Sequence, residues 1–269
     1  MERTPKNIRI IVATHKQYRM PQDDVYLPLH VGKAGKEGIG YAGDDTGDNI
    51  SRKNPSYCEL TGVYWAWKNL QADYIGLVHY RRHFSAGKKS CDPFDAILTR
   101  TELEPILEQH PIVVPKKRRY YIESIYSHYA HTFYKEHMDA ARDVIAARAP
   151  EYLLAFDQVM ARTWGYMFNM MVMRRDLFDA YCAWLFDILA GIEEMNVTPG
   201  LQGFHARFYG RISERLFNVW LLRAQEAGLI KSKNIQELPW VYMGKIDWKR
   251  KIQGFLMAKV FHKKYKASF

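Results

Sequence analysis

Short apolar runs alternate along this chain with segments in which apolar residues recur at helical spacing. The apolar runs predict buried strands at residues 7–14, 73–80, 111–115 and 165–173. The periodic segments predict helices at about 56–70, 122–161, 176–189 and 213–227. A further strand is expected after residue 228. Strands that alternate with helices indicate an α/β fold in which helices cover the sheet.

Two stretches show little periodicity and are rich in Gly, Asp, Asn and Pro, at residues 17–55 and 195–211. We expect the first to be a long ordered loop, and loops of that length are usually functional. Its centre carries Asp44, Asp45 and Asp48 followed by Asn49. These side chains suit either a cation or a series of Asx turns without a ligand, and the pattern alone favours the turns.

Composition narrows the class of protein. The 269 residues are 48% hydrophobic with a net charge of +10, which fits a globular domain with an anionic partner. Three scattered cysteines form no disulfide or metal pattern. With no membrane-spanning run and no signal-peptide pattern, we expect a cytoplasmic protein. No nucleic-acid-binding motif is present, so we expect no nucleic acid partner.

Candidate chemistry is concentrated at the end of the strand at 73–80, where His79 and Tyr80 are followed by Arg81 and Arg82. In open α/β sheets, ligands bind beyond the carboxyl ends of strands. Guanidinium groups match phosphate oxygens with two hydrogen bonds, so the arginines could hold a diphosphate. Ion pairs with the aspartates of the 17–55 loop are an equal alternative.

Two acids are candidates for a general base. Glu214 follows Ser213 at the expected start of a helix, where a carboxylate either complements the helix dipole or faces an acceptor hydroxyl. Asp157 is the second candidate, in a segment with mostly apolar neighbours.

His128, His131 and His137 lie on or near one predicted helix. Their spacing is not that of a metal pair and no HExxH motif is present, so we expect surface or acceptor-cleft histidines rather than a metal site.

The end of the chain differs from the rest, and we divide the protein into a domain at 1–244 and a tail at 245–269. The tail carries eight Lys and Arg residues against one acid, with apolar residues between them. This profile favours an anionic membrane surface, although a basic helix packed on the domain is the alternative.

Several segments together resemble a family of bacterial capsule and exopolysaccharide glycosyltransferases, long catalogued as a domain of unknown function. They are Val12–Lys16, Gly43–Ser51, Tyr57–Asn69, Gly76–Arg82, Asn169–Met170 and Gly210–Leu216. The resemblance implies a GT-A-like, Rossmann-type fold, a UDP-sugar donor and an oligosaccharide or lipid-linked glycan acceptor. Because some members are β-1,3-galactofuranosyltransferases, UDP-galactofuranose is the first expectation. UDP-galactopyranose, another UDP-sugar, or a non-catalytic membrane-docked adaptor are the alternatives.

The resemblance also implies residue roles. Where GT-A enzymes carry the metal-binding Asp-x-Asp, this chain has His79-Tyr80-Arg81. We therefore predict a metal-independent, inverting enzyme with no cofactor, in which Arg81 and Arg82 neutralise the leaving UDP. The remaining donor-site residues implied are Thr14, His15, Lys16, Asp44, Asp45, Asp48, Asn49, His79, Tyr80 and Asn169. Glu214 ranks above Asp157 as base, and His128, His131 and Arg211 are expected on the acceptor side.

Overall fold

The computed structural model describes residues 6–244. The strands are β1 (Ile8–Thr14), β2 (Tyr26–His30), β3 (Ala42–Gly43), β4 (Tyr74–His79), β5 (Arg82–Phe84), β6 (Ile112–Pro115), β7 (Arg118–Arg119), β8 (Trp164–Gly165), β9 (Met171–Arg174), β10 (Ile235–Leu238) and β11 (Trp240–Tyr242). The α-helices are α1 (Asn54–Tyr57), α2 (Leu60–Asn69), α3 (Arg100–Gln109), α4 (Ile125–Thr132), α5 (Glu136–Arg148), α6 (Leu153–Ala161), α7 (Arg175–Met195), α8 (Gly203–Ala206) and α9 (Phe208–Glu226).

The main sheet has the order β10-β6-β9-β4-β1-β2-β3, and β5 and β11 extend it beside β4. Along this order only β9 runs antiparallel to its neighbours, β4 and β6. The carboxyl ends of β1, β2, β4 and β6 therefore lie at one edge of the sheet, together with the amino end of β9. We call this edge the carboxyl edge, because ligands of α/β sheets bind there.

Both faces of the sheet are buried, as continuously apolar strands predict. Along β1, Ile11 and Ala13 pack into one hydrophobic cluster, whereas Ile10 and Val12 pack into the other. This alternation follows from the two-residue period of a strand. The predicted strands at 7–14, 73–80 and 111–115 are confirmed as β1, β4 and β6.

The predicted loop at 17–55 is wrong in part, because β2 and β3 lie within it and pair parallel to β1 and to each other. The predicted helix at 56–70 is also interrupted. Cys58 lies between α1 and α2 with a φ of +55°, a left-handed conformation that ends the first helix.

The strand predicted at 165–173 is divided into β8 and β9. Between them, Phe168 and Asn169 have φ values of +76° and +52°. Consecutive positive φ angles in residues with a side chain are costly, and such conformations cluster at functional sites. The chain is therefore bent at the carboxyl edge, where β9 begins.

The last predicted helix begins earlier than expected, since α9 starts at Phe208 rather than Ser213. Glu214 thus lies in the second turn, and Ser213 is not an N-cap. Gly210 lies inside the helix and faces the end of α1, where an added Cβ would be in ordinary contact with Cys58 Cβ at 3.4 Å. The helix-dipole interpretation of Glu214 loses its basis, since that effect falls off within the first turn.

No helix among residues 6–244 is long and apolar enough to cross a membrane. The predicted tail at 245–269 lies outside the described residues.

Candidate functional site

The loops after β1 and β4 meet at the carboxyl edge. Ala13 pairs with His79, so the residues that follow these strands lie side by side. The His15 and Tyr80 rings meet edge to face at 5.5 Å, and Lys16 Nζ lies 5.5 Å from the Tyr80 ring centroid. Thr14 is buried, and its hydroxyl donates to the Lys16 carbonyl at 2.6 Å. Thr14 therefore shapes this loop, while the exposed His15 and Lys16 form the candidate ligand surface over the buried Tyr80 ring.

Arg81 and Arg82 occupy different environments. The chain reverses tightly after β4, so that His79 pairs with Arg82 at the start of β5. Arg81 is exposed and lies 5.1 Å from the Tyr80 ring. Arg82 packs at 4.7 Å from the Phe168 ring and 5.5 Å from the Tyr242 ring. Burial lowers the pKa of Arg82, and its Nε has no hydrogen-bond partner among the described residues.

The loop aspartates do not supply the ion pairs that we considered for these arginines. Asp44 is fully buried and accepts the backbone N–H groups of Gly32 and Lys33 at 2.8 and 3.0 Å, together with the Ser51 hydroxyl. The Asp44 carboxylate therefore holds the loop, and its expected donor-binding role stays a prediction.

The other acidic and amide side chains of this loop also stabilise it locally. Asp45 lies 3.6 Å from Lys33, and Asp48 accepts the Tyr64 hydroxyl at 3.1 Å. Asn49 accepts the Ser51 N–H at 3.2 Å, as in an Asx turn. Asn49 thus forms the expected Asx turn, and the expected donor contacts of Asp45, Asp48 and Asn49 stay predictions.

Further cations surround His15. Burial lowers the pKa of His15, and the positive charges of Arg207, Lys16, Arg81 and Lys36 lower it further. Arg207 and Lys36 were not expected from the sequence because neither lies in a motif, although each falls in one of the two irregular stretches. Arg207 immediately precedes α9 and donates Nε to Cys58 Sγ at 3.1 Å. The resulting cationic cluster (Lys16, Lys36, Arg81, Arg82 and Arg207) is suited to a multiply charged anion.

Glu214 lies beside this cluster. Its Oε1 accepts the Phe168 N–H at 3.2 Å and its Oε2 accepts Arg215 Nη1 at 2.7 Å. The Arg215 side chain is 4% exposed, whereas that of Glu214 is 22% exposed. Glu214 is also a charge neighbour of Arg82. A fixed, partly exposed carboxylate can accept a hydrogen bond from a hydroxyl group that reaches it, which is the geometry that a general base needs.

Asn169 connects the elements of the site. Its Nδ2 donates to Glu59 Oε1 at 2.7 Å and to the Gly210 carbonyl at 2.9 Å, while its Oδ1 accepts the Ser213 hydroxyl at 2.9 Å. The side chain is buried. The amide is thus engaged within the protein, and the expected contact of Asn169 with the donor sugar stays a prediction.

The same bend involves His79, whose Nε2 lies 2.5 Å from the Phe168 carbonyl. His79 thus fixes the chain at Phe168, and its expected donor contact stays a prediction. Glu59, which precedes α2, is a site residue that sequence analysis missed, and it is a charge neighbour of both Arg82 and Arg207.

The candidate acceptor histidines share one buried carboxylate. One carboxylate oxygen of Glu123 lies 2.9 Å from His128 Nδ1, and the other lies 2.9 Å from His131 Nδ1. His128 is 4% exposed, and burial lowers its pKa to about 4, so it is neutral near pH 7. The ring thus lies inside the protein, and the expected acceptor contact by His128 stays a prediction. Glu123, another residue missed from sequence, binds both rings.

The remaining acceptor candidates are partly accessible. The His131 side chain is 43% exposed. Arg211 is half-buried, with its guanidinium 4.3 Å from the Phe133 ring and 4.1 Å from the Phe204 ring. Arg211 is also a charge neighbour of Arg207 and Glu214, which links the cationic cluster with this aromatic surface.

Asp157 has a different partner. Both of its oxygens accept from Arg142, at 2.8 and 2.9 Å, and this interaction lowers the pKa of Asp157. It lies in a shallow depression of about 380 Å³ with Ser124, Tyr126 and Met138. Asp157 is therefore part of a surface ion pair, and the structure does not bring it to the Glu214 cluster.

Among residues 6–244, no three His, Cys, Asp or Glu side chains are grouped so that they could hold a metal ion.

Comparison with known proteins identifies a similar solved structure and a matching family model. No curated protein sequence matches. The chain is similar to the apo structure of the WbbM bifunctional glycosyltransferase, with 33% sequence identity and a TM-score of 0.80. The match covers 89% of this chain but 46% of that protein, so this chain spans about half of its length.

The similarity to a glycosyltransferase structure confirms the predicted GT-A-like α/β fold. A family model described as a domain of unknown function, DUF4422, matches residues 9–226. This match covers most of the sheet and all the residues of the cationic cluster. The chain therefore belongs to the DUF4422 family.

Proposed function

We propose that this protein is a glycosyltransferase that moves a sugar from a UDP-sugar onto a glycan acceptor. The observation that carries the proposal is the cationic cluster at the carboxyl edge with Glu214 fixed beside it. Similarity to a bifunctional glycosyltransferase supports this activity over an adaptor role. The negative charge of a diphosphate complements the positive cluster, and the Glu214 carboxylate can act as the base that sugar transfer needs.

The donor diphosphate would bind Arg81 and Arg82, with Lys16, Lys36 and Arg207 contributing positive charge. Arg82 is central because its Nε has no hydrogen-bond partner among the described residues while its position is fixed between two aromatic rings. A cation held in a partly buried site interacts with phosphate more strongly than one in water. His15 and Tyr80 would border the uridine.

In the proposed inverting reaction, Glu214 removes the proton from an acceptor hydroxyl as its oxygen attacks the anomeric carbon of the donor sugar. The bond between that carbon and the β-phosphate oxygen breaks, and UDP leaves with the bonding electrons. Guanidinium groups of Arg81 and Arg82 stabilise the negative charge that develops on the leaving group. In this proposal they perform the task of a divalent metal, so the enzyme needs none.

The finer specificity follows from the family resemblance. We take galactofuranose as the transferred sugar, from UDP-galactofuranose in a β-1,3 linkage, and a cytoplasmic capsule, O-antigen or exopolysaccharide chain as the acceptor. Transfer from a panel that includes UDP-galactopyranose tests this choice. The tail at 245–269 is a proposed contact with the anionic membrane surface.

Calorimetric titration with UDP, UMP and uridine tests the central claim. We expect UDP to bind most tightly, because each phosphate adds contacts with the cationic cluster, and we expect chelator to leave the affinity unchanged. A protein that binds none of these ligands would be the non-catalytic adaptor. Affinity or transfer that is lost in chelator and restored by manganese would instead show a metal-dependent site.

A further inference from the structure

The loop between β6 and α4 carries an exposed apolar pair. Tyr121 is 80% exposed and Ile122 is 73% exposed, and they are the most exposed large hydrophobic side chains of the described residues. Single exposed apolar side chains are ordinary on protein surfaces. Two adjacent ones within a charged segment are a candidate for an interaction surface. We call residues 116–122 the docking loop.

Backbone hydrogen bonds fix the conformation of the chain around Tyr121 and Ile122. The Ile122 N–H donates to the Tyr120 carbonyl at 2.7 Å across a three-residue turn in which Tyr121 has a φ of +60°. The Tyr120 N–H donates to the Thr163 carbonyl at 2.7 Å, and β7 pairs with β8. The two side chains therefore project from a fixed base.

The docking loop is strongly basic. Lys116, Arg118 and Arg119 are exposed, and they have no ion pair with another described residue. Lys117 pairs with Glu237 at 2.9 Å. The nearest acid in sequence, Glu123, is buried against two histidines and does not offset these charges at the surface. An apolar pair bordered by uncompensated cations is thus presented to solvent.

We infer that the docking loop binds an anionic lipid bilayer. Tyr121 and Ile122 enter the headgroup region, and Lys116, Arg118 and Arg119 bind lipid phosphates. An aromatic and an aliphatic side chain flanked by Lys and Arg is the composition of membrane-interface segments. A glycan would stack on Tyr121 but would give no role to Ile122 or to the exposed cations. A nucleic acid would likewise leave Ile122 without a role.

The docking loop lies at the carboxyl edge of the sheet, next to the candidate site. β6 ends at Pro115, at the same sheet edge as Thr14 and His79, and the docking loop follows directly. Bilayer contact would therefore place the carboxyl edge near the lipid surface. If the proposed function holds, a lipid-linked acceptor would meet the site there, but the membrane contact itself does not depend on sugar transfer.

Co-sedimentation of the full chain with vesicles tests the inference, using phosphatidylcholine with and without phosphatidylglycerol. Tyr121→Asn combined with Ile122→Ser removes the apolar pair, and Asn tolerates the positive φ. We expect this variant to lose about tenfold in partitioning onto the anionic vesicles, because the interfacial apolar area is gone. Lys116→Gln combined with Arg119→Gln should lose a similar factor and show a weaker salt dependence.

Matched control variants lie at the opposite sheet edge. Leu229 is 56% exposed, and Lys231 and Lys233 follow it just before β10. Lys233 accepts His110 Nδ1 through its carbonyl at 2.8 Å, next to the amino end of β6. Leu229→Ser and the Lys231→Gln/Lys233→Gln pair should therefore leave vesicle binding at the wild-type level.

The midpoint of thermal unfolding, measured with and without UDP, verifies that every variant is folded. Each change in vesicle binding can then be assigned to the substituted surface. Loss of anionic-vesicle binding in the docking-loop variants alone supports the inference. Wild-type binding by those variants, or equal loss in the control variants, overturns it. Unchanged vesicle binding with a raised KM for a soluble glycan acceptor would overturn it in favour of a glycan surface.

Discussion

Arg215, with a side chain that is 4% exposed, donates Nη1 to Glu214 Oε2 at 2.7 Å. The same guanidinium donates to the Arg211 carbonyl at 2.8 Å, which fixes it within α9. The other carboxylate oxygen of Glu214, Oε1, accepts the Phe168 N–H at 3.2 Å. Glu214 is thus positioned by two elements, α9 and the bend before β9.

This arrangement predicts that Glu214→Gln lowers kcat by roughly 10²–10⁴, the usual contribution of a positioned base, with little change in UDP affinity. Glutamine keeps the shape but cannot accept the acceptor proton. Steady-state transfer assays together with UDP titration separate the two effects. Asp157→Asn is the matched control, and we expect near wild-type turnover because Asp157 pairs with Arg142 at the surface. Glu214→Gln with wild-type turnover would assign the base to another acid.

Arg82→Lys tests the guanidinium at the carboxyl edge. Lysine keeps the charge but not the planar group that packs between Phe168 and Tyr242, nor its paired donors. We expect UDP to bind more weakly by about 1.5–3 kcal/mol, the range for hydrogen bonds to charged groups. Calorimetry measures the change, and Arg174→Lys, in a surface pair with Asp176, is the control. An unchanged dissociation constant would place the diphosphate elsewhere.

The sequence predicted the central strands because both faces of β1, β4 and β6 are buried, which produces continuous apolar runs. It missed β2, in which Pro28 interrupts the strand pattern. β3 pairs with β2 only at Leu29 and His30, so the sheet tolerates a proline at that position.

The site was predictable only where its residues are adjacent in sequence. His79, Tyr80, Arg81 and Arg82 follow one apolar strand, and their position beyond a strand end identified them. Arg207 and Glu59 are brought to the site because α9 packs against α1. Such long-range packing produces no local pattern in the sequence. Asp44 and His128 are likewise buried in the fold, and no spacing of polar residues contains that information.

Asn169 supports a paired test of backbone and side chain. Asn169→Gly keeps the positive φ but removes the hydrogen bonds to Glu59, Gly210 and Ser213, whereas Asn169→Ala removes the same bonds and adds left-handed strain. We expect the glycine variant to lose about 1–3 kcal/mol of unfolding free energy, the cost of unsatisfied buried polar groups. The alanine variant should lose roughly 1–2 kcal/mol more. Urea denaturation measures both, and equal stability of the two variants would contradict the strain argument.

The buried His128 predicts a dependence of stability on pH. Burial lowers its folded-state pKa to about 4, against about 6.5 for the unfolded chain. Between these values the unfolded state binds a proton that the folded state does not, so unfolding free energy falls as pH decreases from 6.5 towards 4. The single-site slope approaches roughly 1.4 kcal/mol per pH unit, and the stability is complete above the unfolded-state pKa.

His128→Gln removes this titration, and the difference in slope isolates His128 from other buried groups such as His83, whose pKa burial also lowers to about 4. Urea denaturation of both proteins at several pH values between 4 and 7 measures it. We expect the wild type to lose stability more steeply on acidification than the variant, whatever their difference at pH 7. If the unfolding free energies of the two proteins changed in parallel with pH, His128 would be protonated in the folded protein as well. Its ring would then form an ion pair with Glu123.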